Sequence, residues 1–116
     1  ILPVPENLCH WFASPLSAVR FLRHAAKLDF KKLGNRRSLN LPGVSCSISD
    51  QILALEEIAG TKTSKLIKKI PDKKIEEIVN NWPQNFMADR AIELGFVADK
   101  DFKDIIQIYI NEEINT

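Results

Sequence analysis

With 116 residues, 45% of them apolar, and a net charge of +1, the chain has the make-up of one small domain with an adequate but not generous core. No apolar run approaches the ~18 residues of a membrane-spanning helix, and Cys9 and Cys46, neither in a CxxC pair, are too few for a disulfide framework. The charge is unevenly laid out: residues 1–40 hold seven Lys/Arg against Glu6 and Asp29, a balance of +5, and the rest holds nine against thirteen, a balance of −4.

In chain order, residues 1–5 are extended, because Pro3 and Pro5 keep them out of a helix. Glu6-Asn7 reads as a turn and residues 8–13 as a short strand or extended wall. Ser14 then caps a first helix over 15–28, with Pro15 at the position that needs no N–H. Ala18, Val19, Leu22, Ala25 and Ala26 recur at helical spacing and predict its buried stripe; Arg20, Arg23, His24 and Lys27 fall mostly on the other side. Residues 30–35 form a basic loop. Residues 36–41 alternate and predict a strand that Pro42-Gly43 ends.

Ser47, with Asp50 three residues on, predicts the cap of a second helix that buries Ile52, Leu55, Ile58 and Ala59 and stops at Gly60. Residues 61–64 suit one short turn and 66–70 a further strand before Pro71. Asp72 caps a third helix carrying Ile75, Ile78 and Val79, which Trp82-Pro83 ends. A short fourth helix over 88–94 precedes Gly95. Asp101 caps the last, whose apolar side is Phe102, Ile105, Ile106, Tyr109 and Ile110; residues 111–116 are expected to fray. The result is an α+β, mainly helical small lobe of about five helices and two or three short strands, read as one domain over 1–116. Its strands are too few for a doubly wound sheet, which suits a lobe attached to something larger.

Catalytic patterns are sparse. There is no Gly-rich phosphate loop, and Tyr109 is followed four residues on by Glu113, so no Tyr-xxx-Lys pair exists. Neither His10 nor His24 has a partner at metal-ligand spacing. Cys9 and His10 are adjacent on an extended segment and point to opposite faces, so they cannot act as nucleophile and base. His24 reads as a surface histidine. Trp82 reads as a core anchor under a helix junction, and His10-Trp11 as pocket lining or core. The basic half reads as a solvated face, since aromatics that would stack bases are not interleaved with its charges. A stand-alone helical interaction or nucleic-acid-binding module using that half is the alternative from another class.

The ordered motifs carry a resemblance. Leu2-Pro3-Val4-Pro5-Glu6-Asn7 is followed by His10-Trp11-x-Ala13-Ser14-Pro15-x-Ser17-Ala18-Val19 and then by Asn40-Leu41-Pro42-Gly43 and Leu55-Glu56-x-x-Ala59-Gly60. Later come Trp82-Pro83, Arg90-Ala91 with Leu94-Gly95-Phe96, and Asp104-Ile105-Ile106 with Tyr109-Ile110. Together they resemble the C-terminal substrate lobe of extended short-chain dehydrogenases, within the NAD-dependent epimerase/dehydratase family. The nearest likeness is to its nucleoside-diphosphate-sugar epimerase branch, which includes the D-erythronate dehydrogenase-like enzymes.

The resemblance implies a lobe that closes over a sugar nucleotide or small sugar acid, with Asn7, Cys9, His10 and Trp11 bordering the substrate. It implies a partner Rossmann domain that holds NAD(P), the Gly-rich loop and the catalytic Tyr and Lys, so that this chain itself is expected to bind no cofactor and catalyse nothing alone. The family pattern places Arg where this chain has Cys9, and relatives tend to carry Arg at Leu16. The start at Ile1-Leu2-Pro3, with Met87 the only methionine, gives the expectation of a piece from a longer cytoplasmic polypeptide. Self-association through residues 1–4 is expected; a membrane or nucleic-acid partner is not.

Overall fold

A computed structural model describes residues 1–115. Strand β1 (Cys9–Phe12) leads into helix α1 (Pro15–Lys27), a 3₁₀ turn (Phe30–Leu33) and strand β2 (Val44–Ser47). Helices α2 (Ile48–Ala59), α3 (Thr61–Ser64), α4 (Lys73–Val79), α5 (Asp89–Glu93) and α6 (Phe102–Tyr109) follow, the last running into a π-helical turn (Ile110–Ile114). Among the described residues this is an α+β arrangement of six helices and one two-stranded antiparallel sheet. No helix among them is long and apolar enough to cross a membrane.

Local chemistry sets the helix starts. The hydroxyl of Ser14 accepts from Ser17 N, that of Ser47 from Asp50 N, and the carboxylates of Asp72 and Asp101 accept from the first-turn N–H groups behind them. At Ser47 the bond is reciprocated by Asp50, which completes a capping box.

Of the predicted strands, residues 8–13 supply β1, and the other two are not where the sheet is. Residues 36–41 form no strand; β2 begins only after Pro42-Gly43. Arg90 explains this, because its guanidinium donates to the carbonyls of Leu33 and Arg36, the latter at 2.7 Å. Leu39 and Leu41 meanwhile pack on the cluster of Phe21, Ala91 and Phe96. That stretch is tied down by a side chain and a core contact instead of a ladder. Residues 66–70 contribute only the isolated parallel bridge Leu2↔Lys69. Leu2 N donates to Lys68 O and Ile70 N to Leu2 O, but Pro3 and Pro5 have no N–H with which to continue.

Helix α1 buries the opposite side from the one its apolar spacing predicts. Ser17 and Phe21 are buried and His24 and Leu28 half-buried, whereas Ala18, Val19, Leu22, Ala25 and Ala26 are all exposed. Tertiary partners decide the matter. Phe21 meets Phe96 at 6.1 Å between ring centroids, and the polar members of the inward stripe find acceptors across the fold. His24 is therefore not a surface histidine. Its Nε2 donates to Leu94 O at 2.7 Å, and its ring stands edge-on to Phe96 at 4.6 Å.

The other half of the molecule packs α2 and α6 against the sheet, with Phe12 edge-on to Phe102 at 5.3 Å. Ile52, Leu55 and Ile58 of α2 are half-buried as expected; Ala54 is its fully buried residue and Ala59 is exposed. Tyr109 of α6 is exposed too. In place of the expected fraying, residues 111–114 belong to the π-helical turn, and Thr116 lies outside the described residues. The radius of gyration is 16.6 Å, with extents of 50 × 36 × 18 Å, against about 13 Å for a compact domain of this length. The molecule is a plate, and a plate exposes apolar side chains that a sphere would cover.

Candidate functional site

The residues selected from the sequence lie on and beside β1, which pairs in the register Cys9↔Ser47, His10↔Cys46, Trp11↔Ser45 and Phe12↔Val44. Side chains alternate along a strand, so Cys9 and Trp11 leave one face of the ribbon and His10 and Phe12 the other. Asn7 sits on the exposed turn before the strand, where its carbonyl accepts a weak bond from the Cys9 thiol at 3.7 Å.

Trp11 is fixed on its face by three contacts. Its Nε1 donates to Leu41 O at 3.3 Å, and Phe86 stands edge-on at 5.9 Å. Gly43 lies so close that a Cβ there would meet Phe12 O at 2.5 Å and the indole at 2.8 Å. Only glycine fits that approach. Trp11, Pro42, Gly43, Phe86 and Asp89 line a cavity of about 380 Å³. Asn7, Cys9 and His10 do not line that cavity.

His10 is engaged on the opposite face. Its Nε2 contacts Val79 O at 3.0 Å, and since a carbonyl can only accept, that nitrogen carries the hydrogen. Its ring lies against Trp82 at 5.5 Å. Trp82 is 56% exposed, which corrects its reading as a core anchor: it is an outer cover over His10. Residues 79–86 thus pass from the His10 face to the Trp11 face. Gln84 O accepts from Ser45 Oγ at 2.7 Å on the way.

These positions do not assemble acid–base chemistry. Burial, with Asp50 and Cys9 nearby, pushes the Cys46 thiol up to about 11, so it stays protonated and non-nucleophilic near neutrality. Among the described residues no three His, Cys, Asp or Glu side chains come together to hold a metal ion. The ribbon can present aromatic faces, a thiol and backbone groups to a ligand.

Sequence reasoning missed what positions this wall. Asp99 is buried at the start of α1, accepting from Ser14 N, Ser14 Oγ and Ser17 Oγ, each at 2.7 Å. Burial works to raise its pKa, but the three donors outweigh it and hold the carboxyl below its usual range. The cluster locks the corner where β1 turns into α1. The available signal was a pair of hydroxyls at Ser14 and Ser17, one turn apart on the helix entry, with no local acceptor for their hydrogens.

Comparison with known proteins follows the same outline. The D-erythronate dehydrogenase of Cupriavidus necator is 36% identical over 110 residues, which is 95% of this chain and 34% of that enzyme. The D-erythronate dehydrogenase of Haemophilus influenzae is 32% identical over 114 residues, 98% of this chain and 36% of that enzyme. The crystal structure of a nucleoside-diphosphate-sugar epimerase from Agrobacterium tumefaciens superposes with a TM-score of 0.96 at 46% identity, over 98% of this chain and 33% of that one. The chain is homologous to one third of these dehydrogenase and epimerase chains. The resemblance carried by the motifs is borne out, and so is the α+β lobe it implies. The chain spans about a third of the length of the curated relatives it matches. No family model matches it.

Proposed function

We propose that this chain is a substrate-binding lobe of an NAD(P)-dependent dehydrogenase or epimerase that acts on a small sugar acid or a sugar nucleotide. The supporting observation is the superposition, at 46% identity, of 98% of this chain on a nucleoside-diphosphate-sugar epimerase. The dehydrogenase names of the two curated relatives point to the sugar-acid alternative. On this reading the chain is one domain, works in the cytoplasm beside a Rossmann domain, and closes over the substrate.

The chain's own residues do not fit a dinucleotide cradle. Such a cradle needs a Gly-rich turn from a parallel strand into a helix N-terminus. The sheet here is antiparallel, and Gly34, Gly43, Gly60 and Gly95 are scattered. No chemical step is therefore assigned to the cofactor on this lobe. Its part is to bind and orient. Of the four residues expected to border the substrate, Asn7, Cys9 and Trp11 are assigned to the ligand side, and His10 braces the ribbon from behind through Val79 O.

A chimera tests the reading. The matching third of the Cupriavidus necator enzyme is replaced by this chain; net reduction of NAD is followed with D-erythronate, and formation of the epimeric product is followed by chromatography with sugar nucleotides. Turnover of either class is the expected result. A folded chimera that is inert towards both overturns it. Cys9→Arg in the same chimera supplies a two-pronged cation where the family resemblance implies one, and a hydrogen bond to a charged group contributes ~1.5–3 kcal/mol. KM for an anionic substrate is expected to fall about tenfold or more with a neutral analogue unaffected. Equal effects on both would remove position 9 from the pocket.

A further inference from the structure

The cavity on the Trp11 face combines two kinds of wall. Trp11 is half-buried and Phe86 is 37% exposed, so both rings keep surface open to it. The indole N–H is already engaged by Leu41 O, which leaves ring carbon to meet a ligand. At Gly43 a side chain would collide with the indole, so the lining there is backbone alone.

The other kind of wall is Asp89, the one charged side chain in the lining. Among the described residues the ion pairs are Lys69–Glu6 and Lys103–Glu57. Asp89 belongs to neither, and its carboxylate accepts no hydrogen bond from them. Arg90, next in the chain, does not neutralise it, because its guanidinium is engaged by the carbonyls of Leu33 and Arg36. A free carboxylate therefore stands in an otherwise apolar, partly aromatic cavity.

We propose that this cavity is a subsite for a neutral sugar ring, whose C–H face lies on the aromatic wall and whose hydroxyls donate to Asp89. A carboxylate only accepts, and hydroxyl donors to it make strong, charge-assisted bonds. The volume of about 380 Å³ lies near the lower end of ligand cavities, which run from about 300 to 1,000 Å³, and so suits one ring better than a whole nucleotide. A sugar acid would set its own carboxylate beside Asp89, with no Lys, Arg or His in the lining to separate the two charges. An apolar cover would strand Asp89 away from water. A quaternary ammonium asks for ring faces turned towards it, whereas Phe86 stands edge-on to Trp11 at 74°. The assignment rests on the substrate-lobe reading and chooses within it: the Trp11 face takes the sugar of a sugar nucleotide in preference to a small sugar acid.

The test follows the indole N–H resonances of Trp11 and Trp82 in the isotope-labelled 116-residue chain, its fold checked by circular dichroism and the two signals assigned with Trp82→Phe. The probes are the methyl α-D-pyranosides of glucose, galactose and mannose. Their matching methyl uronides, D-erythronate and choline are the comparison. At least one pyranoside is expected to move the Trp11 signal to saturation with a Kd on the order of 10 mM, leaving the Trp82 signal in place. The matching uronide and D-erythronate are expected to bind at least tenfold more weakly. Asp89→Asn, a change at an exposed position, is expected to weaken the pyranoside about fivefold and to narrow its lead over the uronide. The subsite is overturned if no pyranoside saturates below about 100 mM, or if the uronide, D-erythronate or choline binds as tightly as the pyranoside. It is overturned too if Asp89→Asn changes neither affinity. An inert chimera with these titrations intact removes the lobe reading alone; an active chimera beside a silent Trp11 signal removes the sugar subsite alone.

Discussion

Asp99 holds Ser14 through two bonds at once: Oδ2 accepts from the backbone N–H and Oδ1 from the hydroxyl, each at 2.7 Å, across 85 residues of chain. Ser14 Oγ in turn accepts from Ser17 N at 3.0 Å, so a single carboxylate completes the cap of α1. Because its folded pKa lies below the unfolded value, its stabilisation is present above the unfolded pKa and is lost as pH falls through the folded one. Urea midpoints are expected to hold near neutrality and drop below about pH 4. Asp99→Ala leaves buried donors unsatisfied and is expected to cost on the order of 3 kcal/mol. An unchanged midpoint, or an acid limb as steep as that of the parent chain, would show that the cluster contributes nothing.

Gly43 is expected to tolerate no side chain. An added Cβ would lie 2.5 Å from Phe12 O and 2.8 Å from the Trp11 indole, and overpacking of that kind costs ~1–3 kcal/mol. Gly43→Ala should lower the unfolding midpoint and shift the tryptophan emission together, since the backbone and ring that must move belong to the same strand. Emission that stays constant while stability falls would detach Trp11 from this contact.

Two large aromatics are expected to differ sharply. Phe21 is 5% exposed, and truncating a buried aromatic costs ~3–5 kcal/mol. Trp82, more than half exposed, is expected to cost about 1 kcal/mol or less as Trp82→Ala, chiefly through its contact with His10. Chemical denaturation of both variants orders them directly; equal losses would refute the outer position of Trp82.

The two thiols should separate by reactivity. Cys46 is buried with its thiol pushed up to about 11, whereas Cys9 is half-buried. Limited alkylation at neutral pH, followed by peptide mass spectrometry, is expected to label Cys9 first and Cys46 only on unfolding. Early labelling of Cys46 would mean that α2 opens away from the ribbon.

What the sequence made legible was local. Ser14, Ser47, Asp72 and Asp101 announce helix starts because a cap bonds within its own first turn. Which face of α1 turns inward was not legible, since Ser17 and His24 are polar and become burial-compatible only when Asp99 and Leu94 O arrive from the far end of the chain. The alternation at 36–41 was real, but Leu39 and Leu41 serve a core contact while Arg90 holds the carbonyls upstream. At the candidate site, the wall of Asn7 to Trp11 could be marked from its residues and their family resemblance. Its division between two faces follows from the pleat, and the covering by Trp82 and Phe86 needed the path of residues 79–86.

The first 28 residues are bonded to the last 50: Leu2 to Lys68, His10 to Val79, His24 to Leu94, Ser14 to Asp99. For a chain made from its N-terminus, this inverts the usual order of business. The ribbon can pair once residues 44–47 are out, but Ser14, Ser17 and His24 of the helix entry and α1 leave the ribosome without their distant partners and wait until residues 94–99 emerge. Closure is a late and concerted event, of the kind that long-range contacts make slow, and a chain stopped short of Asp99 during synthesis is left with the hydroxyls of Ser14 and Ser17 without their acceptor, a defect for quality control to recognise.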